Sequence, residues 1–145
     1  MERRVFRQPV EFAGGRLATQ KTITASATLT ADDSGKTIIF GAAGALVLTL
    51  PALLAGLWFK VMTGVAPSGA THTVVTASAA NNMVGAVHSS TGGDADSETS
   101  GCDTLTFADG AAVKGDSAIL ECDGTNWFVR AFCNADTGIT FDTAA

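Results

Sequence analysis

The 145-residue chain has no tyrosine, two histidines and three cysteines, and each shortage removes a kind of chemistry. Cys102, Cys122 and Cys133 are odd in number and unevenly spaced. They match neither a paired disulfide framework nor the close Cys-x-x-Cys pairs of zinc sites. Free thiols in a reducing cytoplasm are expected, with a Cys122–Cys133 bond left open for the case in which their strands pair. His72 and His88 lack the spacing or the neighbouring carboxylate of a metal ligand or general base, and both are expected at the surface or at strand edges. No Gly-x-Ser-x-Gly nucleophile elbow occurs. No catalytic, cofactor or metal residue is therefore assigned, and the chain is not read as an enzyme.

Charge is also scarce, at 16% of residues, and it is unevenly placed. Residues 1–21 carry a net +3 and the remainder a net −8. An acidic body argues against nucleic acid as the partner, because phosphate binding needs a broad basic surface. Pro9, Glu11 and Gly14–Gly15 interrupt the place where an apolar segment should follow Arg3–Arg4, so no secretion signal is expected. Residues 38–59 lack charge over a length that would span a bilayer. Gly41, Gly44, Pro51, Gly56 and the alternation Leu46, Leu48, Leu50 instead indicate strands and turns, so no membrane partner is expected.

What is abundant is alanine, threonine and glycine, with 46% of residues hydrophobic. That composition fills a core and favours strands and turns over exposed helix faces. Residues 1–21 scatter Val5, Phe6, Val10, Phe12 and Leu17 among polar residues and read as an extended arm. Twenty-one extended residues reach about 70 Å, enough to lie across a partner. Residues 22–145 read as one β-domain. Ten short strands are expected, over 22–30, 36–40, 45–50, 57–63, 71–77, 83–87, 104–107, 118–122, 126–132 and 139–141. Turn residues lie between them, and 52–59 is the sole candidate for a turn or two of helix. This is the pattern of an all-β, single compact β-sandwich or partly closed barrel, jelly-roll-like or tulip-like, with an extended N-terminal arm. The clearest unit is a hairpin over 118–132, because Asp123-Gly124 supplies the positive φ angles of a tight turn. In its second strand Trp127, Val129 and Ala131 alternate with Phe128, Arg130 and Phe132. Aromatics on both faces imply that one face is covered by another subunit, and Phe128, Arg130 and Phe132 are the subunit-contact candidates.

Three further segments carry partial motifs. Ser34-Gly35-Lys36-Thr37 looks like the end of a phosphate-binding loop, but Thr30 stands where glycine is needed and a strand follows in place of a helix, so a β-turn is expected. Residues 89–100 contain no apolar residue larger than alanine and read as an exposed loop. Within it, Asp94, Asp96 and Glu98 alternate as calcium ligands can, but without the EF-hand glycine and terminal glutamate a solvated acidic loop is expected, and calcium is left open. The echo of Ile23-Thr24-Ala25-Ser26-Ala27 in Val75-Thr76-Ala77-Ser78-Ala79 is taken as chance in so Ala- and Thr-rich a chain.

The segments 29–38, Leu48-Thr49-Leu50-Pro51-Ala52, Gly56-Leu57-Trp58-Phe59, Thr104-Leu105-Thr106-Phe107 and Asp123-Gly124-Thr125-Asn126-Trp127-Phe128-Val129 together resemble a head-decoration, or cement, protein of tailed bacteriophages. The resemblance spans about residues 22–141. It implies a non-enzymatic homotrimer, made in the bacterial host cytoplasm, that binds the outer surface of the virion and links neighbouring major capsid protein subunits. Arg3, Arg4, Phe6, Arg7, Val10 and Phe12 of the arm lie outside these segments and are independent candidates for capsid contact. The alternative is a fibre-like or carbohydrate- or receptor-binding β-module. In that case Trp58 or Trp127 would stack on sugar rings, although core packing is expected for both.

Overall fold

A computed structural model describes residues 19–92 and 96–143. The described chain folds into two packed β-sheets, a sandwich and not a closed barrel. Its strands are β1 (Gln20–Ile23), β2 (Ala27–Thr28), β3 (Thr37–Phe40), β4 (Leu46–Thr49), β5 (Trp58–Thr63), β6 (His72–Val75), β7 (Met83–Ser89), β8 (Ser97–Cys102), β9 (Thr104–Phe107), β10 (Ser117–Cys122), β11 (Trp127–Cys133) and β12 (Ile139–Asp142). The seven-stranded sheet has the order β1-β3-β5-β10-β11-β7-β8 and the five-stranded sheet β12-β9-β6-β4-β2.

The first half of the chain winds between the sheets. β1, β3 and β5 lie side by side in parallel in one sheet, while β2, β4 and β6 do the same in the other. The register runs Gln20, Thr37, Lys60 in the first and Ala27, Leu48, Val74 in the second. Three stacked coils result, each contributing one strand to each sheet. Where a coil turns out of the larger sheet its backbone lies directly on the coil below. The Gly41 amide donates to the Ile23 carbonyl and the Gly64 amide to the Phe40 carbonyl. A Cβ at Gly41 would fall 2.5 Å from Thr22 Cγ2, and one at Gly64 2.5 Å from Ile39 Cγ2 and 2.9 Å from the Phe40 oxygen. Antiparallel strands β8 to β12 complete both sheets, with β7 joined to β11 in parallel.

Side-chain alternation then builds one core. Ile38, Phe40, Phe59, Val61, Leu120, Trp127 and Val129 point inward from one sheet, and Leu46, Leu48, Val74, Leu105 and Phe107 from the other. Phe40 meets Phe107 edge-on at 5.5 Å, and Phe59 lies 5.8 Å from Trp127. Each such buried side chain contributes roughly 1.5–3 kcal/mol of transfer free energy.

Several expectations need correction. The run 22–30 is two strands, because residues 24–26 carry the chain from one sheet to the other. β1 begins at Gln20, so Gln20 and Lys21 belong to the β-domain and not to an arm ending at residue 21. Residues 52–57 form turns without helix. The expected loop 89–100 contains most of β8, an edge strand that pairs with β7 through its backbone and so needs no apolar side chains. The hairpin forms, but its connection is residues 123–126 with only Gly124 at positive φ; Asp123 acts through its carboxylate, which accepts from the Thr125 and Asn126 amides at 2.7 Å. As expected, Cys122 and Cys133 are free thiols, although β10 and β11 pair. Cys122 pairs with Trp127 at one end of β11 and Cys133 ends the other, about 20 Å away at strand rise. The repeat of Ile23–Ala27 in Val75–Ala79, read as chance, indeed has no structural counterpart, since the two segments leave different sheets.

His72 likewise departs from its expected place at the surface or a strand edge. It is fully buried on the inner side of β6, 4.7 Å from the Phe40 ring, and among the described residues neither ring nitrogen has a hydrogen-bond partner. Burial holds its imidazole below the ordinary value of 6.5. A group depressed in this way contributes stability above pH 6.5 that is lost as the pH falls toward its folded value. Thermal unfolding followed from pH 8 down to about pH 5 should show the midpoint falling below pH 6.5. His72→Leu should flatten that segment while changing stability at pH 8 by less than about 1.5 kcal/mol; an unchanged slope would assign the loss to other groups. For the coil corners, Gly64→Ala should cost about 1–3 kcal/mol in urea unfolding. Gly44→Ala, where an added Cβ meets nothing within 4 Å, should shift stability by under about 0.5 kcal/mol.

Candidate functional site

The two outer faces of the sandwich differ in chemistry. On the five-stranded sheet, outward positions read Val47, Thr73, Thr106, Thr140 in one row and Thr28, Thr49, Val75, Thr104, Asp142 in the next. Hydroxyls dominate that face. On the seven-stranded sheet the rows across β5, β10, β11 and β7 are Trp58, Glu121, Phe128, Val84; then Lys60, Ile119, Arg130, Ala86; then Met62, Ser117, Phe132, His88. Trp58, Phe128 and Phe132 are 46%, 45% and 55% exposed. A shallow hollow beside Trp58 is lined by Gly56, Leu57, Ile119, Glu121 and Cys122. The Arg130 guanidinium donates to the Glu121 carboxylate at 3.2 Å in the middle of this face, and His88 stacks on Phe132 with ring centroids 5.7 Å apart.

Phe128, Arg130 and Phe132 thus share one exposed face, as the alternation along β11 predicts, while Trp127 is fully buried. Trp58 corrects the expectation that both tryptophans pack in the core. The signal was present: Trp58 has the parity of Lys60 and the opposite parity to Phe59 and Val61, so a strand that buries the latter pair must expose the former. Arg3, Arg4, Phe6, Arg7, Val10 and Phe12 lie outside the described residues.

The polar groups of the partial sequence motifs are engaged structurally. Ser34–Gly35 forms the expected turn, with the Gly35 amide donating to the Trp58 carbonyl, and Thr37 opens strand β3. Lys36 is turned to Asp33 at 2.8 Å, and Lys21 reaches the same carboxylate at 3.3 Å. Asp33 also accepts from the Thr30 amide at 3.2 Å. Burial alone would raise its pKa, but the Lys36 ammonium, the Thr30 amide and Lys21 outweigh that and hold it down to about 2. This cluster ties β1 to the turn before β3. Asp94 lies outside the described residues; Asp96 accepts from the Ser97 and Phe141 amides, and Glu98 from the Ser100 and Gly101 amides. Among the described residues no group of three His, Cys, Asp or Glu side chains is placed to hold a metal ion. No described helix is long and apolar enough to cross a membrane. The Cys102 thiol is buried, which pushes it up to about 11, far from the thiolate a nucleophile needs.

No protein-family model and no curated protein matches the chain.

Asp33 generates a prediction. Its depressed value means that the stability it contributes is complete above the ordinary aspartate value of 3.8 and is lost as the pH falls toward about 2. Its partners are partly exposed, so Asp33→Asn should cost about 1–2 kcal/mol at pH 7 in urea unfolding. The difference from the parent should shrink across that acid window, and a constant difference would trace the loss to packing.

Proposed function

We propose that the chain is a non-enzymatic head-decoration protein of a tailed bacteriophage. Its partner in this reading is the major capsid protein, and its place is the outer capsid surface after synthesis in the host cytoplasm. The single observation that carries the proposal is how the sandwich disposes of its side chains. The described histidines and thiols are buried, stacked or unpartnered by any catalytic group, while the exposed aromatics gather on one broad face suited to contact with protein. The phage-like segments from residue 29 to residue 129 supply the family, and the resemblance implies three copies at each attachment point.

In this reading the arm is the anchor. Isolated surface ion pairs between the basic arm and the acidic body would stabilise the domain by roughly 0–1 kcal/mol each. Laid across capsid protein, the arm combines backbone pairing with pockets for Phe6 and Phe12, and several arms act together through effective concentration.

A second reading rests on Trp58. A half-exposed indole, in one row with Glu121 and Phe128, offers an apolar plane with a hydrogen-bonding rim of the kind that stacks on sugar rings, which suits a fibre-like or receptor-binding module.

Co-sedimentation with undecorated shells separates the two. Deleting residues 2–18 should leave the thermal midpoint nearly unchanged, strongly weaken shell binding, and leave the binding of the intact chain only partly sensitive to salt. A truncated chain that co-sediments as tightly as the full one removes the arm as anchor. An intact chain that ignores shells but is retained by immobilised glycans, with loss on Trp58→Ala, favours the second reading.

A further inference from the structure

The outer face of the seven-stranded sheet is complementary to itself. Its central block has the rows Trp58, Glu121, Phe128; Lys60, Ile119, Arg130; and Met62, Ser117, Phe132, with Ile119 in the middle. A two-fold axis lying in the face along the diagonal Phe128, Ile119, Met62 exchanges rows and columns. Across it, Glu121 meets Arg130 of the second copy, Trp58 meets Phe132, Lys60 meets Ser117, and the three apolar side chains on the axis meet themselves. We propose that this face is an isologous interface joining two copies of the chain, with their strands crossing at close to a right angle.

Simpler axes fail on charge. An axis along the strands sets Lys60 against Arg130 and Glu121 against itself, while an axis along the rows sets Lys60 and Arg130 each against its own copy. Like charges so juxtaposed are unfavourable. The diagonal axis instead gives the orthogonal mode of sheet packing. Columns are about 4.8 Å apart and alternate residues along a strand about 6.7 Å, so the exchange leaves a mismatch near 2 Å, which the long Arg130 and Glu121 side chains span. The opposite diagonal sets Glu121 against Lys60 of the second copy. Arg130 is favoured because its side chain is 65% exposed and, though paired with Glu121 of its own chain, projects from the face, whereas Lys60 is half-buried along the sheet. Residues outside the block extend the patch to about 20 Å on a side, an area at the low end of specific interfaces, so the pair forms in a concentration-dependent way. The pairing does not depend on a capsid partner, and it differs from the three-fold grouping that the phage resemblance implies.

Sedimentation velocity of the full chain from about 1 to 200 µM tests the proposal, because weak interfaces of this size dissociate in that range. The expected result is a mass rising from 14.7 kDa toward twice that value. Glu121→Arg and Arg130→Glu should each weaken self-association at least about tenfold while leaving circular dichroism and the thermal midpoint near those of the parent, since both side chains are more than half exposed. Mixing the two variants should restore pairs as one-to-one heterodimers, because each copy then meets opposite charge across the axis even though the charges within each chain still repel. Recovery on mixing Glu121→Arg with Lys60→Glu, and not with Arg130→Glu, overturns this axis. A limiting mass of three chains overturns the two-fold interface and leaves the decoration reading standing, and a monomer throughout, including one that binds glycans through Trp58, overturns self-association through this face.

Discussion

Backbone hydrogen bonds run from coil to coil in both sheets, and they form only if successive coils stack at strand spacing all the way around, corners included. The rest of the molecule depends on that stacking. It is why glycine stands at positions 41 and 64, where any side chain would enter the coil below. It also explains why Asp33 binds Lys21 from one coil and Lys36 from the next, and why the Ser34 hydroxyl and Gly35 amide are spent on the backbone of Trp58 in the third. With the coils in place, β10 and β11 add to the edge of β5, and their outward residues fall into register with Trp58, Lys60 and Met62.

Two sheets share one interior, and it fills with one inward face from each. The aromatic side chains of opposite parity on β5 and β11 are thereby forced outward, whatever their apolarity. On the five-stranded sheet the same geometry turns out threonines, two of which, Thr104 and Thr140, donate to the Asp103 and Asp142 carboxylates. The asymmetry between a hydroxyl face and an aromatic face thus follows from the parity of a few strands.

Buried polar groups show how closely the interior is matched. Asp116 is buried, yet its carboxylate accepts from the Val113 and Asn134 amides and so joins the loops at the ends of β10 and β11. His72 is equally buried, and among the described residues neither of its ring nitrogens has a partner. Burial lowers its pKa, and its ring acts as an aromatic wall against Phe40. The difference reflects surroundings: Asp116 sits among loop amides that still need acceptors, whereas His72 sits on a strand whose amides and carbonyls already serve the sheet.

Much of the fold is legible in the sequence because it rests on local rules. Alternating apolar residues specify strands, Gly, Pro and Asp clusters specify turns, and the parity of Arg130 by itself puts Phe128 and Phe132 on one outward face. The same parity rule, read from Lys60 and Val74, places Trp58 outside and His72 inside; residue type obscures it, since tryptophan suggests a core and histidine a surface. Strand β8 is invisible in the sequence because an edge strand is held by backbone hydrogen bonds, which leave no mark on side-chain composition. The parallel coils, the separation of Cys122 from Cys133 and the row that joins Trp58 to Glu121 and Phe128 belong to the tertiary structure alone. Strand periodicity states which way a side chain points but not which strand lies beside it, and neighbours are chosen only when all the coils close together around a shared core.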